Sequence, residues 1–524
     1  MSESTTLNVE TAYGTVSGLV ENGIARFLGI PYAAAPRGIK RFAAPEPPAS
    51  WTGVRAAHTF GATAPQLPPK GKVGELFPNP VVVGEDYLNL NVWTPGPRAS
   101  GGAGAPVLVW IHGGGFTTGS NAVTAYNGAI FARDGVVCVS VNYRLGIEGF
   151  GYVADAPTPA NRGLFDQIAA LEWVRDNIAR FGGDPDNITV AGESAGGMSV
   201  LTLLSLGTGL FHKAIVESGS AHSAQTREDA TLVTAEVAER LRIEPTAEAL
   251  AAVPVDDLLL AQEAVSEDIA ATTDPERFGA STIASCGLGF MPVIDGELLH
   301  RAPIDALAGG AGGEIPLLMG TTTEEFRIFV VPTSLVSWPG EKPFRDRLAA
   351  YGVPGDFYDR YAETNVQPYV RTMPSGIACA VLTDRMFRIP TIRAAEARAD
   401  ASAATYLFEF GWRTDTAPNL VGVKLGACHS LPLPFVWDTL DNPDSAMLTG
   451  DSPPQELADA LHGRWVEFAR SGEPAAWAPY DTIQRPVMVF EHNNEPSIEV
   501  VNDPRGTERE LWKDHLHPTS DDQG

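Results

Sequence analysis

Seven short β-rich runs punctuate this chain: PVLVWIH (106–112), VVCVSVNY (136–143), ITVAGE (188–193), KAIVES (213–218), IPLLMG (315–320), ATYLFEF (404–410) and PVMVFEH (486–492). Several are apolar throughout, without alternation. A strand with one wet face alternates apolar and polar residues, whereas a strand covered on both faces does not. Such runs therefore specify a sheet buried on both sides, and the covering layers must be helices. Between the runs lie segments with apolar residues at helical spacing. Leu164, Ile168, Leu171, Val174 and Ile178 recur in this way before Gly182 and Gly183 stop the helix, and Leu457, Leu461, Trp465 and Phe468 repeat the pattern near the C-terminus. Alternating strands and helices imply an α/β fold with a doubly wound, mostly parallel sheet.

The chain has 524 residues and is 44% hydrophobic, ample for one large core, and it shows no repeat of solenoid or propeller length. The glycine-rich stretches at 99–106 and 308–314 read as surface loops, because strand signals resume at once beyond them. We read residues 1–524 as a single domain. Residues 221–400 are helix-rich and irregular, and form either a lid or a packed helical subdomain over the sheet.

A net charge of −27 disfavours nucleic acid and anionic membranes, which require clustered Lys and Arg. It serves solubility first, and steering of cationic ligands only weakly, since salt screens exposed charges beyond about 8 Å. The N-terminus, MSESTTLNVETAYG, lacks a basic segment followed by an apolar one, and the longest apolar runs are too short to span a bilayer. Cys138, Cys286, Cys379 and Cys428 are scattered, without metal-binding spacing. The expectation is a cytoplasmic protein with free thiols, no metal and no cofactor.

AGESAGG (191–197) follows one of the apolar runs and opens onto a helical pattern. Its centre is a G-x-S-x-G around Ser194. In a strand–turn–helix setting this pattern holds a nucleophilic serine on a sharp turn, with small residues either side because larger ones would strike the neighbouring strand and helix. WIHGGGF (110–116) places three glycines directly after another strand. The backbone N–H groups of Gly114 and Gly115, with that of Ala195, would surround a developing oxyanion. A base and an acid should follow the serine in the chain. His429, in LGACHSLPLPFVWD, stands in a loop after a strand, whereas His462 lies in a helical run and His515 and His517 in a polar tail. Glu324 and Glu325, in LLMGTTTEEFRIF, both follow a strand end, and position alone does not separate them.

Together these segments resemble the type-B carboxylesterase/cholinesterase family of α/β hydrolases, and bacterial members in particular. The resemblance rests also on LGIPYAAAP (28–36), RFAAPEPPASWTGV (41–54), GEDYLNLNVWTP (84–95), VNYRLGIEGF (141–150), the block 161–197 and FMPVIDGELL (290–299). It implies the α/β-hydrolase fold and selects Glu325 as the acid, five residues after the strand-ending Gly320. It matches His429 to the family base and Ser218, in VESGS, to a serine hydrogen-bonded near the triad.

The departures matter too. Phe326 follows the acid where the family commonly has glycine, and either lines the pocket or packs in the core. Pro432 stands where the family has an acidic residue three positions after the histidine. The cysteines that staple a loop in secreted relatives are replaced by Ala64 and Tyr87, so that this loop is expected to depend on packing alone. Phe77 falls near the position of the cation-binding tryptophan of cholinesterases and is a weaker partner for a cation, which disfavours choline esters. The resulting expectation is a cofactor-free serine carboxylesterase acting on neutral small-molecule esters through an acyl-enzyme, with Phe116, Phe326 and Phe77 as pocket candidates. An amidase or carbamate hydrolase would use the same triad, and some relatives are non-catalytic binding proteins that lack the serine. Natural substrate, stereoselectivity and oligomeric state are left open.

Overall fold

The computed structural model describes residues 5–68, 71–96, 104–285, 287–337, 340–364, 373–492 and 496–515. Its centre is a 13-stranded sheet. In chain order the strands are β1 (Thr5–Glu10), β2 (Thr15–Glu21), β3 (Ile24–Pro31), β4 (Val54–Ala56), β5 (Asn89–Thr94), β6 (Ala105–Ile111), β7 (Val137–Val141), β8 (Gly183–Glu193) and β9 (Lys213–Glu217). A separate two-stranded ribbon, β10 (Gln225–Thr226) and β11 (Val293–Ile294), comes next, and the main sheet continues with β12 (Leu317–Thr322), β13 (Thr405–Phe410), β14 (Pro486–His492) and β15 (Pro496–Asn502). The spatial order is β1-β2-β3-β5-β7-β6-β8-β9-β12-β13-β14-β15, with β4 beside β2.

The seven runs singled out above become β6, β7, β8, β9, β12, β13 and β14, and every pairing among them is parallel. Their burial explains the sequence pattern: β7, β9, β12 and β13 are buried at every position. The flanking pairs β1–β2, β2–β3, β3–β5, β5–β7 and β14–β15 are antiparallel. One covering helix, Arg162–Asn177, tightens through Ile178–Phe181 and ends at Gly182 in the left-handed region, φ 86°. Another, Gln455–Ser471, ends in the same way at Gly472, φ 79°.

The helix-rich stretch from 221 to 400 is not one excursion. β12 interrupts it and returns the chain to the middle of the sheet, between β9 and β13. Ahead of β12 stand helices such as Arg227–Leu241 and Val255–Thr272. After it come Lys342–Ala350, Pro374–Thr383 and Ile389–Ala397, the last two joined by a π-helical turn, Asp384–Arg388.

Hydrogen bonds, and not packing alone, tie the loop between Ala64 and Tyr87. Thr63 N donates to Val82 O at 2.9 Å, Asn79 Nδ2 donates to Gln66 Oε1 at 2.6 Å, and the Tyr87 hydroxyl donates to Glu148 Oε2 at 3.0 Å. Cys138, Cys379 and Cys428 are buried free thiols, while Cys286 lies outside the described residues. Among the described residues no helix is long and apolar enough to cross a membrane, and no group of three or more His, Cys, Asp or Glu is arranged to hold a metal ion.

Candidate active site

From β6 the chain passes to β7 on one side and then crosses to β8 on the other, so the carboxyl ends of β6 and β8 flank a crevice where the winding reverses. Open α/β sheets bind ligands at such a point. The glycine loop after β6 and the serine turn after β8 meet there. Ser194 holds φ 56° and ψ −124°, between β8 and a helix that runs from Ala195 to Leu206. A non-glycine residue in this region costs about 1–3 kcal/mol and persists only where its surroundings enforce it. Here the Ser194 N–H donates to Glu217 O at 2.9 Å, and Met198 N donates to Ser194 O at 2.8 Å. The two glycines of the motif are steric requirements. A Cβ on Gly196 would stand 2.0 Å from Ile111 O, and one on Gly192 would stand 2.5 Å from the Gly196 carbonyl carbon.

The glycine loop approaches as closely. A Cβ on Gly113 would reach 2.8 Å from Glu193 O and 3.0 Å from Ser194 Cβ; one on Gly114 would stand 2.2 Å from Thr118 O. Gly114, Gly115, Ser194 and Ala195 all border a cavity of about 450 Å³, and His429 and Ser430 border it from the other side.

Glu325 is wholly buried on the turn after β12. Its Oε1 accepts from Ser218 Oγ at 2.6 Å and from Thr322 N at 2.7 Å, and its Oε2 lies 2.6 Å from His429 Nδ1. Glu324 turns the other way. Its Oε2 accepts from Ala427 N at 3.0 Å and pairs with Arg413 Nε at 2.9 Å, while its own N–H donates to Ala427 O. Glu324 thus fastens the loop that carries His429, and Glu325 touches the imidazole itself. Position in the sequence did not separate the two glutamates; their hydrogen bonds do.

A third carboxylate belongs to this group, and the sequence reading passed over it. Glu193, the variable residue in the motif, is 3% exposed, with Oε1 3.0 Å from His429 Nε2 and accepting from Ser430 Oγ at 2.5 Å. The available signal was a charged residue at the end of an otherwise apolar run. Burial opposes charge on His429, but Glu193 and then Glu325 outweigh it and move the imidazole up to about 9. Burial in turn raises the pKa of Glu193, against the pull of His429 and Ser430. Phe329 and Phe387 enclose the imidazole ring, with centroids 5.5 and 4.8 Å away.

Of the three pocket aromatics expected, Phe77 lines the cavity. Phe116 and Phe326 are placed elsewhere. Phe116 is fully buried against Phe150, centroids 4.6 Å apart, because its φ of 61° turns it beneath the glycine loop. Phe326 packs against the main apolar core and Phe329, while its backbone N–H donates to Thr383 Oγ1 at 3.1 Å. The cavity wall beyond Phe77 is made instead by Met198, Leu288, Ile328, Phe329, Met386 and Phe387. Leu288, Met386 and Phe387 come from stretches without a motif, and the π-helical turn carries the last two. Pro432, in place of an acid, caps the short helix Leu433–Val436.

The fold, the strained turn and the crevice define an α/β hydrolase. The carboxylesterase family profile matches residues 5–512, so the chain belongs to the carboxylesterase family and its class of chemistry is carboxylic ester hydrolysis. It is similar to the para-nitrobenzyl esterase of Bacillus subtilis (strain 168), 35% identical with 96% of this chain and 97% of that one covered. It is also similar to the phenmedipham hydrolase of Pseudarthrobacter oxydans, 33% identical with 94% of each covered. Among solved structures, a Geobacillus stearothermophilus carboxylesterase at pH 6.2 superposes with a TM-score of 0.80 at 36% identity, covering 97% of this chain and 100% of that one.

Proposed function

We propose that this chain is a serine carboxylesterase in which Ser194, His429 and Glu325 act through an acyl-enzyme. The observation that carries the reading is the hydrogen-bonded line Ser218–Glu325–His429 ending at a cavity that also holds the strained Ser194. Ser194 Oγ attacks the ester carbonyl while His429 Nε2 takes its proton and then returns it to the leaving alcohol; water repeats the sequence to release the acid. Glu325 fixes the tautomer through Nδ1 and stabilises the imidazolium. Gly114, Gly115 and Ala195 supply backbone N–H donors to the oxyanion. In the resting protein Nε2 faces Glu193 Oε1, so the base must exchange that contact for Ser194 before each turnover.

The cavity favours neutral esters with apolar groups, since Leu288, Ile328, Phe329, Met386 and Phe387 form much of its wall. A reducing cytoplasm fits the buried free thiols Cys138, Cys379 and Cys428. Ser194→Ala should lower kcat for ester hydrolysis by roughly 10⁶ with the fold intact, and His429→Ala by a similar factor, with the double variant little worse. Retention of a tenth of wild-type activity by purified Ser194→Ala would sink the reading. Matched ester, carbamate and anilide substrates decide the bond type, with the ester expected to be cleaved fastest.

A further inference from the structure

Glu217 ends β9 with its side chain 1% exposed, and the reaction above gives it no task. It pairs in register with Glu193, so the two side chains leave neighbouring strands on the same face of the sheet, about 5 Å apart at their bases. Trp465 Nε1 donates to Glu217 Oε1 at 3.0 Å, and Glu217 Oε2 is buried with no hydrogen-bond partner among the described residues. The groups that face it are Glu193 from β8, Glu325 from the turn after β12, Trp465 from the helix Gln455–Ser471, and the buried Tyr126, on which Glu193 and Glu217 both act. A buried carboxylate needs donors on both oxygens. Glu217 has one donor and two like-charged neighbours. Burial, and then Glu193, outweigh the indole and push its pKa up to about 8.

We propose that Glu217 is a positioning residue of the hydrolytic site, a carboxylic acid whose charge state sets how firmly Glu193 holds the His429 imidazolium. The inference rests on the reading of His429 as the base. While Glu217 is neutral, Glu193 and Glu325 are the two anions that hold the imidazolium. When Glu217 ionises, a third negative charge arises beside Glu193, and the proton on Nε2 becomes harder to remove. Burial, which leaves Oε2 without a donor, and then Glu193 keep this acid neutral at neutral pH, while the Trp465 indole keeps its ionisation within reach of the alkaline range.

The test uses Glu217→Gln, which preserves shape, neutrality and the acceptor for Trp465. In infrared spectra the wild type should show a protonated carboxyl C=O band at neutral pH that bleaches on titration into the alkaline range and is missing in Glu217→Gln. The alkaline-going limb of kcat/KM should move down by about half a pH unit in the variant, with plateau kcat within about threefold of wild type. Trp465→Phe, which removes the donor that favours the carboxylate, should move the infrared bleaching to higher pH, and this decides the matter if Glu217→Gln does not fold. A band unchanged by Glu217→Gln overturns the proposal. So does a kcat/KM limb left at its wild-type midpoint while the melting temperature falls, since that is the signature of a structural role. The infrared result stands whether or not Ser194→Ala abolishes hydrolysis, so failure of the ester reading would be recognised separately.

Discussion

His429 sits between two carboxylates, and its proton affinity follows from that placement. With the imidazole moved up to about 9, and His429 acting as the proposed base, kcat/KM should climb through the alkaline range with its midpoint near pH 9 and level off about a unit above it. The same shift affects folding. A histidine whose folded pKa exceeds its unfolded value contributes stability that is complete below about pH 6.5 and fades as pH rises through about 9. Glu193→Gln should lower both midpoints, and chemical denaturation followed across pH reads the second. Phe326→Ala, being removed from the cavity, should cost about 2 kcal/mol of stability and leave the ranking of butyrate against benzoate esters unchanged. Phe387→Ala should change that ranking tenfold or more, because its ring borders both the cavity and the imidazole. At this scale the serine turn, the histidine loop and the glycine loop were legible in the sequence as parts of one candidate site, because each stands in a local pattern of residue types, and all three border the cavity. The sequence did not carry Glu193, which occupies a position the motif leaves free, nor the destination of the Phe326 ring, which depends on the direction of the chain after β12.

The elements were legible in proportion to their burial. The seven parallel strands show as β-rich apolar runs because both their faces are covered. β1 is exposed along most of its length and mixes polar with apolar residues, so it carries no comparable signal. β5 reads NLNVWT, two asparagines in a strand buried at every position. Asn91 Nδ2 donates to Asn121 O at 2.9 Å and to Ser140 Oγ at 3.1 Å, a satisfaction that only tertiary structure supplies. Two loops hold the site by similar means. Glu324→Gln should loosen the grip on Ala427 and lower kcat by about tenfold, far less than Glu325→Gln, which removes the charge from the imidazole's partner. Asn79→Ala should free the segment that carries Phe77. The expected result is a raised KM for aryl esters with kcat held, measured by steady-state kinetics across an acyl series.

For the whole molecule, the parallel sheet gathers the carboxyl ends of β6, β8, β9 and β12 at one rim, and Ser194, His429, Glu325 and the cavity lie there. The opposite rim carries the connections that lead into the strands, among them the exposed Glu314 just before β12. Cys138, Cys379 and Cys428 are sealed inside, so in a Cys286→Ser background a thiol introduced at that rim faces little native competition. Glu314→Cys coupled to a solid support should retain most of the activity of the free enzyme on a bulky ester. Coupling through Lys72→Cys, at the edge of the segment lined by Val73 and Phe77, should suppress it. The polarity of a parallel sheet thus doubles as a handedness for immobilisation: a catalyst bound by its inlet loops presents its open face to the flowing solution.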